Sequence, residues 1–202
     1  VITYENGERD VIATDETWRS SAESPLLFAD IYDGETYDAR VSTEWMKPGY
    51  DDSLWCRVNV NTEFTGKLVS GYSATIVVRD DLERTVQSVK IHKGIVGASD
   101  THYGRANVVR TLRSGAFTLN EGETAVIDFG QNFAGREAFA VKGARGTKIT
   151  VKHAEMLNDG NGAHERGNDG PEGTVYQAAL RSALATTNYI LSGEGSEEYH
   201  PS

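Results

Sequence analysis

Short segments rich in β-branched and aromatic residues recur along this chain, and each is bounded by glycine, asparagine or aspartate. These residue types favour strands separated by turns. In residues 148–153 apolar and polar side chains alternate, so that Ile149 and Val151 point to one side, as in a sheet with one face on a core. The sequence therefore predicts an all-β fold of antiparallel strands. The other predicted strands span residues 1–5, 9–14, 75–78, 85–92, 106–112, 124–129, 138–142 and 187–191.

Turn and helix signals add three local predictions. Asn6 and Gly7 are the preferred pair of a two-residue turn, and they predict a tight hairpin between the first two strands. The acids and the serine at 51–53 could cap a short helical turn. Residues 178–185 have helical propensity but lie between predicted strands, so we interpret them as an irregular connection.

Composition excludes some classes of partner. The chain has 202 residues and a net charge of −10, and a field of that sign repels nucleic acid and anionic membranes. No apolar run approaches the ~20 residues that cross a bilayer. The polar N-terminus lacks the pattern of a signal peptide, which leaves the compartment open.

The tryptophans and the single cysteine have structural interpretations. Trp18 and Trp55 are predicted to pack in a core, because the first follows a strand and the second neighbours apolar residues. Cys56 lies beside Trp55, and we predict that its thiol is buried. The sequence contains no Cys/His spacing typical of a zinc site.

The segment 28–40, FADIYDGETYDAR, concentrates four carboxylates and two tyrosines around one glycine. So many acids repel one another unless water, a cation, Arg40 or the hydroxyl groups of a sugar compensate. Carboxylates accept hydrogen bonds from hydroxyls, and flat rings pack on the C–H face of a pyranose. We therefore predict a sugar-binding site here. Its candidate residues are Asp30, Tyr32, Asp33, Glu35, Tyr37 and Asp38, together with Trp45.

Other interpretations of this acidic segment stay open. Loop carboxylates are ligands that Ca²⁺ prefers, although the spacing does not match the helix-loop-helix calcium pattern. Alternatively, the acids cap turns, accept backbone N–H groups and pair with Arg40. A glycosidase pair is disfavoured, because thirty acidic residues guarantee some pair at the required ~6.5–9.5 Å. We assign no catalytic residue.

Three later features also have structural interpretations. The sequence DFGQN at 128–132 predicts a strand end and a β-corner, with Gly130 supplying backbone freedom. His153 and Glu155 fall on one face of an extended chain, within hydrogen-bonding reach of each other or of a neighbouring strand. The glycine-rich residues 159–173 predict a long loop.

Several of these blocks occur in the order of a known family. They are Trp18, DIYDGETYDAR at 30–40, WMKPGYDDSLW at 45–55, DFGQN at 128–132, GTKITVKHAEMLN at 146–158 and residues 180–195. Together they resemble the non-catalytic region of bacterial α-L-rhamnosidases and cover nearly the whole chain. Residues 80–113, with His92, His102 and Tyr103, have no counterpart in this pattern, and we assign them no role.

The resemblance implies a parent enzyme that removes terminal L-rhamnose with inversion, using acids that lie in a separate helical barrel. This chain would then supply two antiparallel, jelly-roll-like β-sandwich units. Residues 1–60 would be the C-terminal part of an incomplete first unit, and residues 61–202 a second unit without its last strand. The implied partners are the missing catalytic barrel and, through the parent enzyme, rhamnose-containing glycans. No cofactor is required, but some family members bind rhamnose with Ca²⁺, so the metal question stays open.

Two alternative functions remain at this stage. The chain could be a stand-alone, Ca²⁺-dependent carbohydrate-binding module for L-rhamnose, which requires exposed aromatic rings near residues 30–38. It could also be an autonomous enzyme, which requires a carboxylate pair of its own around a bound sugar.

Overall fold

The computed structural model describes residues 1–67, 69, 71–113, 115–161 and 167–201. Within these ranges the chain forms thirteen strands and three single-turn 3₁₀ helices, without an α-helix. The predicted all-β fold is confirmed. Among the described residues, no helix has the length and apolar character needed to cross a membrane.

The strands are β1 (Ile2–Thr3), β2 (Arg9–Asp10), β3 (Arg19–Ser20), β4 (Leu26–Asp30), β5 (Gly34–Asp38), β6 (Cys56–Arg57), β7 (Ser88–Val96), β8 (Arg105–Leu112), β9 (Glu123–Asp128), β10 (Phe139–Lys142), β11 (Lys148–Lys152), β12 (Thr186–Ile190) and β13 (Ser196–Tyr199). The 3₁₀ helices span Glu44–Met46, Asp80–Leu82 and Ala178–Leu180.

The chain divides into two compact units. The first contains Val1–Pro25 and Val41–Ile76, and the second contains Leu26–Arg40 and Val77–Ser202. The acidic segment therefore makes its contacts within the second unit. The domain boundary at residue 60 and the missing last strand stay predictions.

The first unit contains two short antiparallel pairs, β1 with β2 and β3 with β6. The predicted hairpin between β1 and β2 forms, but its loop has three residues rather than two. The N–H of Tyr4 donates to the carbonyl of Glu8, and the N–H of Gly7 donates to the carbonyl of Tyr4, both at 2.9 Å. Gly7 has a φ of +86°, a conformation that glycine adopts without steric cost, and this extra residue closes the turn.

Three predictions for the first part of the chain are wrong. Residues 75–78 form no strand: no described segment pairs with them, and Ile76 is 99 % exposed. Trp18 is 44 % exposed, and Cys56 is exposed as well. The strands of this unit are only two residues long, so they present too little surface to cover these side chains. Trp55 is half-buried.

The second unit contains three sheets. Their strand orders are β11-β12-β5-β4, β10-β13 and β8-β7-β9. All pairs in them are antiparallel except β5 with β12, which is parallel. This parallel pair joins residues 152 positions apart in the sequence. The strands β4, β5 and β13 are not among those predicted from the sequence.

The core lies between the four-stranded sheet and the β10-β13 pair. Tyr189, Leu191 and Tyr199 are buried there, and Tyr37 and Phe139 pack against them. The rings of Tyr37 and Tyr189 stack at 5.9 Å, and those of Tyr189 and Tyr199 lie 4.7 Å apart. Because each of the two sheets contributes rings to one cluster, the sheets pack face to face as a predominantly antiparallel sandwich.

The third sheet contains most of the stretch that had no counterpart in the family pattern. The predicted strands 85–92, 106–112 and 124–129 are confirmed as β7, β8 and β9. Val89 and Ile91 of β7, the central strand, are fully buried. The β7-β8 register shifts on both sides of His92, and burial lowers the pKa of this imidazole.

The turn between β4 and β5 requires a glycine. Gly34 has a φ of +98°, and a Cβ at this position would lie 2.2 Å from the carbonyl oxygen of Thr186. Such a distance is far below a van der Waals contact, and the obstructing atom belongs to the backbone of β12. Because the backbone of Gly34 lies so close to β12, the N–H groups of Ala185 and Thr186 can donate to the carbonyls of Tyr32 and Asp33 in the turn.

We expect Gly34→Ala to destabilise the second unit by more than the ~1–2 kcal/mol that a left-handed alanine costs, because the Cβ also displaces β12. Gly195→Ala is the matched control, since Gly195 has a φ of +95° and open space around it. Denaturant unfolding of both variants measures the difference. Equal losses of stability would show that the contact with Thr186 does not constrain the turn.

Candidate functional site

Three residues of the predicted sugar site, Asp30, Tyr32 and Asp33, lie at the turn between β4 and β5. Oδ1 of Asp30 accepts the N–H groups of Tyr32 and Asp33 at 2.8 and 2.9 Å. These two backbone hydrogen bonds lower the pKa of the Asp30 carboxyl, because they stabilise its charged form. Asp33 in turn accepts the N–H of Leu184 at 3.1 Å. The acids therefore shape the turn and attach it to the segment that precedes β12.

The two acids of β5 are buried and have partners. Oε1 of Glu35, which is 7 % exposed, accepts the hydroxyl of Tyr199 at 2.7 Å. Asp38, which is 6 % exposed, binds the guanidinium of Arg40 through both oxygens, at 2.8 and 2.7 Å. The hydrogen bonds from Arg40 lower the pKa of Asp38.

The aromatic residues of the predicted site point to different places. Tyr37 is part of the sandwich core, whereas Tyr32 is 70 % exposed on the turn. Trp45 belongs to the first unit, where its ring lies 6.3 Å from that of Trp55, and Tyr50 contacts Trp55 from 5.7 Å. The structure thus brings together Asp30, Tyr32 and Asp33, places Glu35, Tyr37 and Asp38 along β5, and holds Trp45 in the other unit. Sugar binding by this set stays a prediction.

Metal binding also stays a prediction. Among the described residues, no group of three His, Cys, Asp or Glu side chains is placed to hold a metal ion. The carboxylates of the acidic segment direct oxygens at backbone N–H groups, a tyrosine hydroxyl and a guanidinium. A Ca²⁺ ion, which takes six to eight oxygen ligands, would compete with these hydrogen bonds.

A groove of about 470 Å³ lies on the other face of the four-stranded sheet. Side chains alternate along a strand, so Thr36 and Asn188 point away from the core that Tyr37 and Tyr189 face. Thr150, Asn188 and Thr36 form a hydrogen-bonded ladder across three strands, at 2.9 and 3.3 Å. We call this concave surface the outer-face groove. This groove is not among the sites predicted from the sequence, although the polar residues at alternate positions of β12, Thr186 and Asn188, are a signal for a polar face.

One wall of the outer-face groove is the segment 177–185. It starts with the single 3₁₀ turn Ala178–Leu180 and continues without regular structure, which confirms the predicted irregular connection. Gln177 Nε2 donates to the carbonyl of Leu184 at 3.0 Å and braces the wall. Arg181 and Ala185 have φ values of +59° and +42°, which are rare for residues with a side chain.

A buried amide supports this wall from behind. Asn158 is almost completely buried, and its Nδ2 donates to Oδ1 of Asp169 at 2.9 Å while its Oδ1 accepts the N–H of Asp169 at 2.7 Å. Oδ2 of Asp169 accepts the N–H groups of Gln177 and Ala178, both at 2.8 Å. Burial opposes ionisation of Asp169, but the hydrogen bonds outweigh it and lower the pKa. The predicted loop 159–173 lies partly outside the described residues, at 162–166.

His153 bonds to a carboxylate that the sequence did not indicate. Its Nε2 lies 2.9 Å from Oε2 of Glu137, and its Nδ1 lies 2.9 Å from the carbonyl of Ala185, while Glu155 is exposed. Glu155 is therefore not the partner: the carboxylate comes from Glu137, in the irregular segment before β10, and only the carbonyl of Ala185 lies next to the neighbouring strand β12. Both ring nitrogens face acceptors, so only the imidazolium can donate to both. The hydrogen bond to Glu137 accordingly raises the pKa of His153.

The predicted β-corner after β9 is confirmed. Oδ1 of Asp128 accepts the N–H of Gly130 at 2.7 Å, and Gly130 has a φ of +74°. The rings of Phe129 and Phe133 meet edge to face at 5.7 Å across the bend. This corner is a structural feature of the second unit.

Comparison with protein-family models identifies two domains. Residues 1–80 match the alpha-L-rhamnosidase N-terminal domain, and residues 118–202 match the bacterial alpha-L-rhamnosidase concanavalin-like domain. The intervening residues 81–117 contain β7 and β8.

Curated relatives are alpha-L-rhamnosidases of bacteria. The chain is 31 % identical to the enzyme of Streptomyces avermitilis over 202 residues and 27 % identical to one from Formosa agariphila over 203 residues. Each alignment covers 99 % of this chain, but only 15 % and 17 % of the relatives. The chain therefore spans about one sixth of their length.

Solved structures of α-L-rhamnosidases also align with nearly the whole chain. The structure of the Streptomyces avermitilis alpha-L-rhamnosidase complexed with L-rhamnose aligns with a TM-score of 0.59 and 27 % identity, covering 98 % of this chain and 15 % of that one. The native enzyme of Aspergillus terreus aligns with a TM-score of 0.61 and 28 % identity, covering 99 % and 18 %.

The hydrogen bond between Tyr199 and Glu35 predicts a large effect from a small change. Tyr199→Phe removes the hydroxyl that donates to a buried carboxylate, and we expect a loss of about 1.5–3 kcal/mol in the free energy of unfolding. Tyr32→Phe makes the same change on the exposed turn, where we expect a loss below about 0.5 kcal/mol. Denaturant titrations measure both. Similar losses for the two variants would contradict the structural role of Glu35.

The His153–Glu137 pair predicts a pH dependence. Because the pKa of His153 is raised above its ordinary 6.5, its contribution to stability is complete below pH 6.5 and is lost as the pH rises through the raised value. Burial opposes ionisation of Glu137, but its hydrogen bonds, chiefly the one from His153, outweigh burial and lower its pKa from the ordinary 4.5. The contribution of ionised Glu137 to stability is therefore lost only as the pH falls through this lowered pKa. The pair is therefore strongest between the two pKa values.

We expect His153→Gln to cost about 1 kcal/mol near pH 6, a value discounted because the His153 side chain is 41 % exposed, and less at pH 9. Urea unfolding at a series of pH values measures this, with His102→Gln, an exposed histidine, as the control. A loss that grows towards pH 9 would contradict the ionised pair.

Proposed function

The chain belongs to the bacterial α-L-rhamnosidase family, and on this basis we propose that it is the accessory β-sandwich region of an enzyme that hydrolyses terminal α-L-rhamnosyl linkages with inversion. The observation that carries the proposal is the match of two rhamnosidase domain models to residues 1–80 and 118–202, in a chain one sixth as long as its relatives. In this proposal the chain supplies architecture and interdomain contacts, and the rest of the parent enzyme supplies the reacting groups.

The engagement of the buried acids supports a non-catalytic role for this chain. An inverting glycosidase needs two carboxylates on opposite sides of a bound sugar, with space for water between them. Here Glu35 accepts a hydrogen bond from Tyr199, and Asp38 is paired with Arg40. Glu137 is occupied in the same way by His153. Acids that stabilise the fold in this manner are not available to protonate a leaving group or to activate water.

The proposed partners follow from this role. The catalytic barrel of the parent enzyme would be the principal one, and rhamnose-containing glycans would reach the chain through that enzyme. The proposed architecture needs no cofactor. The chain's net charge of −10 supports the further proposal that neither nucleic acid nor membrane is a partner.

Rhamnose binding with Ca²⁺ is a second candidate function. The observation that favours it is the exposed ring of Tyr32 beside the carboxylates of Asp30 and Asp33 on one turn. An exposed ring and neighbouring acids are the groups that hold a pyranose. A calorimetric titration of the chain with L-rhamnose, with and without Ca²⁺, tests this candidate, and an absence of heat in both cases would reject it.

We expect the isolated chain to release no product from a chromogenic α-L-rhamnoside under conditions in which the full-length parent enzyme does. The measurement compares equimolar amounts of both, and the configuration of the product reports inversion. Turnover by the isolated chain that is abolished by changing one of its acids would overturn the non-catalytic assignment. If the full-length parent enzyme also released no product from the rhamnoside, the proposed α-L-rhamnosidase activity itself would be overturned.

A further inference from the structure

The outer-face groove has a charge opposite to that of the chain. Lys152 and Arg181 line it together with one acid, Asp33, although the chain as a whole carries a net charge of −10. The Asp33 carboxylate accepts the N–H of Leu184. Neither the ammonium of Lys152 nor the guanidinium of Arg181 has a hydrogen-bond or ion-pair partner among the residues that the structure describes. Both residues are exposed, so the two cations of this concave surface are accessible to a ligand.

The backbone at Arg181 strengthens this observation. Its φ of +59° with a ψ of −106° is a conformation that glycine adopts easily and that a residue with a Cβ avoids. Strained residues of this kind concentrate at ligand-binding sites, where the surrounding structure holds them. Asp169 and Gln177 provide that support, because they fix the start of the wall through four hydrogen bonds.

The rest of the groove has the composition of a sugar site. Asn188 and Thr36 present amide and hydroxyl groups on its floor, already oriented by the ladder across the sheet. Phe28 and Leu184 are half-exposed and supply apolar surface for the C–H face of a pyranose. Polar groups on a rigid sheet with an apolar edge are typical of small-molecule sites.

We propose that the outer-face groove binds a carbohydrate that carries a carboxylate, with Arg181 and Lys152 recognising the carboxylate and Asn188 and Thr36 the hydroxyl groups. The planar guanidinium matches a carboxylate through two parallel hydrogen bonds, and the ammonium adds a second positive charge. The carbohydrate class rests on the proposed function. The preference for an acidic sugar rests on these two accessible cations alone.

Calorimetric titration of the chain with a disaccharide of terminal α-L-rhamnose and a uronic acid tests the proposal. The comparison ligand is the same disaccharide with its carboxylate reduced to an alcohol. We expect the acidic sugar to bind about tenfold more tightly, with an affinity that falls as salt is added. Arg181→Gln and Lys152→Gln are each expected to weaken binding of the acidic sugar about tenfold and to leave binding of the neutral sugar unchanged.

Arg105→Gln and Lys90→Gln are the matched controls, because they remove the same charges from exposed positions on the sheet of β7 and β8. Equal losses for these variants, or equal affinities for the two sugars, would overturn carboxylate recognition by the groove. Tighter binding of a polyglutamate peptide than of the acidic sugar would overturn the carbohydrate class in favour of an acidic polypeptide. Turnover of a neutral rhamnoside by the parent enzyme does not depend on these outcomes. The test of the proposed function can therefore fail or succeed independently of the test of carboxylate recognition by the groove.

Discussion

A tyrosine that is buried between two sheets must find an acceptor for its hydroxyl, and this requirement organises the second unit. Tyr199 donates to Glu35 of β5, and Tyr189 donates to Glu197 of β13. Burial, followed by the neighbouring carboxylate, raises the pKa of each tyrosine, so both hydroxyls stay protonated as donors. Each hydrogen bond connects one sheet to the other, and the aromatic cluster therefore aligns the sheets as well as filling the space between them.

The local pattern of residues was sufficient to predict about half of the strands. Alternating residues such as Ile149 and Val151 in β11 predicted their strand, because the pattern reports burial of one face directly. The acids of β5 had the opposite effect, since their density suggested a solvated loop. Glu35 and Asp38 are tolerated in a buried strand only because Tyr199 and Arg40 lie next to them. The pairing of these acids with Arg40 was one of the interpretations of the sequence, and the structure contains it for Asp38, whereas Tyr199 lies 164 residues from Glu35 and no local pattern shows that contact.

The candidate site was less predictable than the fold for the same reason. The outer-face groove combines residues from β4, β5, β11, β12 and the segment before β12, which come together through the parallel pairing of β5 with β12. That pairing joins segments 152 residues apart, and its register depends on the bare backbone of Gly34 beside Thr186. The chemical groups of the sugar site predicted from the sequence lie in the acidic segment and at Trp45. Only Asp33 of those groups lines the groove.

The two faces of the four-stranded sheet separate stability from recognition. Since side chains alternate along β5 and β12, the inward positions carry Tyr37 and Tyr189, while the outward positions carry Thr36 and Asn188. Substitutions at the outward positions leave the aromatic cluster intact, so the groove is free to vary in charge and shape without loss of the sandwich. The strained backbone at Arg181 and the two exposed cations of the groove are the features on which the proposed recognition of an acidic sugar depends.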